Sequence, residues 1–397
     1  MRALVIGGSV GGLLAANLLR VTGWDVAVYE KSVEDLSGRG SGIGTREELF
    51  RIMRRVGVAL DASIGVPVRA RICLDRAGRI IEELALPSFH SAWDRLYRPL
   101  KAVLPEACYH AGLSLARYEA DADGVTAWFA DGTHSEGDLL VGADGLYSKV
   151  RAQLAPESEA RYAGYVAWRG VLDERDMPEA SRATLAERFA FCLPPGELII
   201  GLPMPGRGLG EVPGPSRYHW VWFRPVDLAR GLPDLCTDAT GHCHGTSIPP
   251  PLIRREHITA IKRAAAALLA PQLAALVERT AQPFLQPIYD FATPVLARGR
   301  VALVGDAAFF ARPHVGTGVT KAALDAECLA DTLARAGEDV AAALAEYERV
   351  RGAAGRALVA RARRLGAYLD PTADPAEAAQ QKRPAVVLAE YGAAGGG

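Results

Sequence analysis

VIGGSVGGLLAANLLR, residues 5–20, decides the fold of this chain. An apolar, β-prone run at 2–6 leads into the turn Gly7-Gly8-Ser9-Val10-Gly11-Gly12, and an alanine- and leucine-rich stretch continues to residue 20. A short run without polar alternation suits a parallel strand buried on both faces. In a strand–turn–helix of this kind the first glycine permits the tight reversal and the middle position lets backbone approach a pyrophosphate. The last glycine allows close helix–strand packing. Ser9 stands where a second glycine is usual; it is small, and its hydroxyl can donate to a phosphate oxygen beside the N–H groups of the helix N-terminus. The run 25–30 reads as the next strand and ends in Glu30, followed by Lys31. An acid about twenty residues past the glycines is placed to grip ribose hydroxyls. Together these elements predict dinucleotide binding.

Length and charge bound the alternatives. A chain of 397 residues can bury a sizeable core and divide into more than one domain. A formal charge of −1 carries no electrostatic footprint for nucleic acid or an anionic membrane. The six cysteines are scattered without paired spacing, which fits a reducing cytoplasm. The uncharged run 3–19 has the length of a signal peptide, but its patterned glycines and the strand that follows argue against one. No other apolar run reaches membrane-spanning length, because the alanine-rich piece at 264–277 contains Pro271. A soluble cytoplasmic protein is expected.

Two distant motifs identify the cofactor. Residues 137–151 read GDLLVGADGLYSKVR and residues 299–333 read GRVALVGDAAFFARPHVGTGVTKAALDAECLADTL, each a strand ending in a glycine–acid turn. In this order and spacing the three motifs resemble those of the flavin-dependent aromatic hydroxylases, single-component monooxygenases of the p-hydroxybenzoate hydroxylase type, over roughly residues 1–370. The resemblance implies that the first motif holds the ADP part of FAD. It links the Asp144 turn to FAD and the nicotinamide donor, and assigns the flavin ribose contact to the acid of Gly305-Asp306. It also assigns Arg98 to the FAD from a helix, Gly42 to the cofactor, and Pro313, Gly316 and Gly318 to the loop beside the isoalloxazine ring. The physical needs agree: a diphosphate takes backbone donors, two sugars take acceptors, and glycines let backbone approach a flat uncharged ring. Asp144 and Asp306 can equally cap the helices that follow them. Ser9, the stretch YAGYVAWRGVL at 162–172, and Arg312-Pro313-His314 with Lys321-Ala322 resemble the bacterial dihydroxypyridine-hydroxylating branch of the family. Phe309 and Lys321 depart from the wider family, which usually has histidine and asparagine there.

Between residues 155 and 283 strand–helix alternation gives way to strands divided by Pro/Gly turns, with candidates at 165–172, 188–192, 197–204 and 218–226. Period two puts Tyr218, Trp220 and Trp222 on one face and His219, Val221 and Phe223 on the other, for the most part as core. CTDATGHCHG, at 236–245, lacks usual zinc spacing and reads as a polar loop, so no metal is expected. Residues 262–277 are helical, 340–369 form a covering helix, and the Pro/Ala/Gly-rich tail reads as loosely held.

The fold class expected is α/β: a Rossmann-like FAD-binding domain (1–70, 98–154, 284–340), an inserted antiparallel substrate domain (71–97, 155–283), a C-terminal helix (341–370) and the tail (371–397). By resemblance, NADH or NADPH reduces the flavin, and a flavin C4a-hydroperoxide passes oxygen to an electron-rich aromatic or hydroxypyridine-like ring. Such chemistry needs a base or acceptor near the ring. His314 is the first candidate, with Tyr165 and Arg169 behind it; a buried structural histidine is the competing reading. The partners expected are a small aromatic substrate and O2, with a homodimer left open. A Baeyer–Villiger or epoxidising monooxygenase on a larger aromatic, and a non-catalytic flavoprotein that binds an aromatic ligand, are the alternatives.

Overall fold

The computed structural model describes residues 1–36, 42–206 and 216–392. The opening strand Arg2–Ile6, buried from its second residue onward, lies at the centre of a six-stranded sheet. Asp25–Glu30 and Tyr109–Ala111 lie on one side of it; Leu139–Gly142, Val301–Leu303 and the edge pair Ala297–Arg298 lie on the other. The strands run parallel apart from that edge. The chain leaves the central strand toward Asp25–Glu30 and later returns to its opposite side, so the two directions part at the glycine turn, where open sheets of this kind bind ligands.

Helices Val10–Val21 and Gly318–Ala336 pack side by side against the sheet, and the long helix Val340–Leu365 packs on the second of them. Gly7 has φ +107°, and a Cβ on Gly12 would lie 1.8 Å from the Gly7 carbonyl oxygen, so both positions require glycine.

The second layer is an eight-stranded sheet. Its central strands, Arg161–Asp173, Arg217–Pro225, Leu198–Met204 and Arg188–Cys192, pair antiparallel and match the sequence candidates within a few residues. Arg188–Cys192 then pairs in parallel with Ala70–Leu74, which continues antiparallel to Ile80–Leu84. At the other side stands Phe284–Ala292, paired with Arg161–Asp173. The domain boundary expected at 284 therefore falls one strand too early: the alternation of Phe284–Ala292 belongs to the second sheet. Likewise the domain boundary expected at residue 98 falls inside the helix Trp93–Ala102.

One face of this sheet is closed by helices Arg255–Leu268 and Pro271–Arg279, separated at Ala270 because Pro271 cannot continue the first. Trp168, Tyr218, Trp220 and Trp222 are buried beneath them, and Trp220 Nε1 donates to Thr280 Oγ1 at 2.9 Å. The opposite face, carrying Tyr165, Arg169, His219, Val221 and Phe223 by strand parity and cross-strand register, turns toward the glycine-turn domain.

The tail departs from expectation. Residues 375–392 form helices Pro375–Gln381 and Pro384–Glu390 and end with Tyr391 buried and Gly392 half-buried. Small residues suggest a chain without a core, yet Val387, Leu388 and Tyr391 line up on one helical face and are buried against the second sheet. Residues 393–397 lie outside the described residues. No helix among the described residues is long and apolar enough to cross a membrane.

Candidate active site

Two cavities follow from this arrangement. The first, about 350 Å³, opens at the carboxyl ends of the central strands and is lined by Gly7, Ser9, Glu30, Lys31, Trp93 and Asp144, among others. Ser9 precedes helix Val10–Val21 with an extended backbone and no side-chain cap, and the first turn holds no acid. Its leading N–H groups and the Ser9 hydroxyl are thus available to an anion. Glu30 is buried: one carboxylate oxygen accepts from Gly8 N at 2.8 Å, the other from Ser32 N at 2.9 Å. A carboxylate keeps further lone pairs for ribose hydroxyls.

Asp144 serves as a cap. Its carboxylate accepts from Lys149 N at 2.7 Å and from the Ser148 hydroxyl, while Ser148 Oγ accepts from Arg151 N at 2.9 Å. Burial raises the Asp144 pKa, and these bonds oppose the rise. Arg151 then crosses to the third motif and donates to Ala307 O at 3.2 Å, tying the two glycine–acid turns together. Gly305-Asp306 is a single 3-10 turn at the end of Val301–Leu303. Lys321, buried, donates to the Gly305 carbonyl oxygen and lies 3.3 Å from Asp325; Asp325 accepts from Gly305 N at 3.1 Å and from Arg351 Nε at 2.8 Å. The Lys321 departure from the family pattern is therefore a structural strut beneath the turn. Asp306 itself keeps a solvent-accessible side chain, although protein packed on its inner side raises its pKa and Lys321 opposes that.

Pro313, Gly316 and Gly318 lie where Phe309–Phe310 gives way to helix Gly318–Ala336. Gly316 is left-handed (φ +59°), and Gly318 opens a helix without a side-chain cap or first-turn acid, a second unblocked N-terminus. Glycine turns, acceptors at both ends and two open helix N-termini fit an extended FAD. Arg98, which the family resemblance assigns to FAD, is placed differently from Trp93 on the same helix. It sits on the exposed side of helix Trp93–Ala102 and does not line the first cavity, whereas Trp93, five residues earlier, does and stacks on Tyr97 at 4.7 Å. Five residues turn a helix by about 140°, which separates the two side chains.

The second cavity, about 470 Å³, lies between the domains. Pro313 and Gly316 reach it from the third motif, Gly42 and His90 from paired neighbouring strands, and Arg71, Arg169, His219, Phe189 and Phe223 from the second sheet. His219 is buried, and neither ring nitrogen has a partner among the described residues. Burial, together with Arg169 and Arg217, holds its pKa well below 6.5. His90 is pushed down to about 4 by burial and Arg71. Arg71 and Arg169 are lowered by burial to about 10 and stay cationic at neutral pH. The site thus sets two neutral imidazoles beside two guanidiniums among aromatic walls.

His314 and Tyr165 are placed otherwise than expected. Both are fully buried, share a hydrogen bond of 2.7 Å, and stand behind the cavity wall rather than in it. Burial and Arg312 lower the His314 pKa to about 3, so the ring is held neutral. Of the three catalytic candidates only Arg169 lines the cavity. Sequence reasoning passed over His219 and Arg71; the available signal was a polar residue within a strand whose neighbours are all apolar or aromatic. In the 236–245 loop, His244 pairs with Asp238 at 2.8 Å, and no metal-holding cluster occurs among the described residues.

Comparison with known proteins places this geometry. A family model described as FAD binding domain-like matches residues 162–290. The 2,6-dihydroxypyridine 3-monooxygenase of Paenarthrobacter nicotinovorans is 32% identical over 374 residues, covering 93% of this chain and 91% of that protein. The solved 2,6-dihydroxypyridine-3-hydroxylase from Arthrobacter nicotinovorans superposes with a TM-score of 0.87 at 31% identity, covering 94% and 93% of the two chains. Klebsiella pneumoniae HpxO, solved with FAD and uric acid, gives 0.78 at 27% identity over 96% and 92%. The chain belongs to the FAD-dependent monooxygenases that hydroxylate aromatic and heteroaromatic rings.

Proposed function

We propose that this chain hydroxylates a small, electron-rich, hydroxylated ring of the hydroxypyridine type, bound in the cavity between the domains. The observation that carries the reading is His219: a neutral, partnerless imidazole facing that cavity next to the Arg169 cation. When bound, FAD supplies reduction by NADH or NADPH and the activation of O2 for insertion of one oxygen atom. This chain's residues place and polarise the substrate. His219, held neutral, accepts a hydrogen bond from a ring hydroxyl, and the Arg169 cation stabilises negative charge that develops on that oxygen. Phe189 and Phe223 hold the ring and keep water out. For the cofactor, the first turn (Gly7, Ser9, Val10, Gly11, Gly12) takes the diphosphate, Glu30 and Lys31 the adenosine side, and Asp144 and the Gly305-Asp306 turn the remaining sugar and phosphate. Gly42, Pro313, Gly316 and Gly318 flank the flavin ring. The names of the relatives, which act on dihydroxypyridine and urate rings, support this substrate class. All six cysteines are free, which suits a reducing cytoplasm.

The test is NADH and NADPH oxidation under air with 2,6-dihydroxypyridine and simple phenols, with product structure by NMR. The expected result is substrate-stimulated oxidation and a ring-hydroxylated product. His219→Leu, which removes the acceptor, should lower kcat/KM by about 10- to 100-fold with FAD content unchanged. A ring-expanded or epoxide product would replace hydroxylation with the corresponding insertion chemistry, and no stimulation by any ring compound would remove the proposal.

A further inference from the structure

The C-terminal segment reaches the cavity that the Proposed function assigns to the substrate, and the inference rests on that reading. After helix Pro384–Glu390, Tyr391 turns inward and is only 5% exposed. Its ring meets Phe191 at 5.4 Å and His314 at 5.6 Å, both edge-on, and together with Gly392 it lines the cavity. The segment is held by its backbone. Gly392 N donates to His314 O at 2.8 Å, Arg71 donates to Leu388 O at 2.8 Å and to Tyr391 O, and Arg46 donates to Gly392 O at 3.1 Å. A Cβ on Gly316 would come within 2.8 Å of Gly392 Cα, so the loop of the third motif and the tail are in direct contact. Residues 371–380, which lead to this anchor, are mostly exposed.

A cluster of guanidinium donors spent on backbone carbonyls is a receptor for a chain segment whatever its side chains are. The one large side chain that the segment delivers into the cavity is Tyr391. We infer that residues 384–392 form a wall of the substrate cavity and that Tyr391 is its specificity-determining residue, limiting the ring substrate to a single ring. The Tyr391 ring fills the space between Phe191 and His314 that a fused second ring would otherwise enter. Its hydroxyl is not needed for this role, so phenylalanine replaces it and alanine does not.

The experiment is equilibrium binding of 2,6-dihydroxypyridine and of a dihydroxyquinoline to the FAD-loaded full-length protein, read from the perturbed flavin spectrum, with FAD affinity measured separately. In the native chain the one-ring ligand binds and the two-ring ligand is weaker. Tyr391→Ala should shift the ratio of the two dissociation constants at least tenfold toward the larger ring, Tyr391→Phe should leave it unchanged, and FAD affinity should stay the same in both. A native chain that binds neither ring removes the proposed function and this inference with it. A native chain that binds the one-ring ligand, with an unchanged ratio in Tyr391→Ala, overturns this inference alone. An altered FAD affinity with no change in ratio also overturns it, by assigning the segment to the cofactor.

Discussion

Arg312 donates through Nε to Asp290 Oδ2 at 2.7 Å, a pair buried on both sides that locks the loop of the third motif to the last long strand of the second sheet. Arg363, on the covering helix, donates to the other oxygen of the same carboxylate at 2.9 Å. One acid therefore joins the cofactor loop, the substrate sheet and the C-terminal helix. Removing it leaves the buried Arg312 guanidinium with only the longer contact to Asp370 at 3.4 Å. Asp290→Ala is expected to cost about 3–5 kcal/mol, read as a lowered urea midpoint. A loss below about 1 kcal/mol would mean that the pair does not hold the domains in register.

Acid should destabilise this protein earlier than carboxylate chemistry alone requires. His90 and His314 are held neutral by burial, with values of about 4 and about 3, and His219 is also well below the ordinary 6.5. The unfolded chain takes up protons at 6.5 that the native state refuses, so stability is full above that pH and is lost as pH falls below it. Each histidine contributes about 1.4 kcal/mol per pH unit until its native value is reached. The raised carboxyls of Asp144 and Asp306 work in the opposite direction, but only near the carboxylate range. Urea unfolding at pH 7.5, 6.0 and 5.0 should show stability falling, with uptake approaching three protons at the lowest pH. A flat profile would place charged or solvated histidines at these positions.

Trp93 and Arg98 give opposite expectations for FAD affinity. Trp93→Ala removes an aromatic wall of the first cavity and is expected to weaken FAD about tenfold. Arg98→Ala, on the exposed side of the same helix, should leave the affinity within about twofold. Fluorescence titration of apoprotein with FAD decides between them, and the reverse order would restore the arginine to the cofactor.

Much of the fold was legible because periodicity is a backbone property. The buried strand at residue 2, the turn at residue 7, Glu30 at a strand end and the alternation in 217–225 all carry a local signature. The substrate side was less legible because its residues come from separate elements. Arg71, Arg169, His219 and Tyr391 share one cavity only after the second sheet assembles and the tail folds back. His314 drew attention by lying near glycines in sequence, yet its side chain points into packing and bonds Tyr165. Arg98 and Trp93 stand on different faces of one helix, a difference of a few residues that the family motif alone does not resolve. The tail misled through composition, since alanine and glycine around it obscured the spacing of Val387, Leu388 and Tyr391.

The measurement that bears most directly on the central claim is the mass of the ring product formed by the FAD-loaded protein from 2,6-dihydroxypyridine and NADH or NADPH under ¹⁸O2. A product carrying one labelled oxygen atom on the ring is predicted, in step with donor oxidation. Unlabelled ring, or donor oxidation that yields only peroxide in the presence of every ring compound tried, would contradict the assignment of the cavity between the domains as a ring-hydroxylating site.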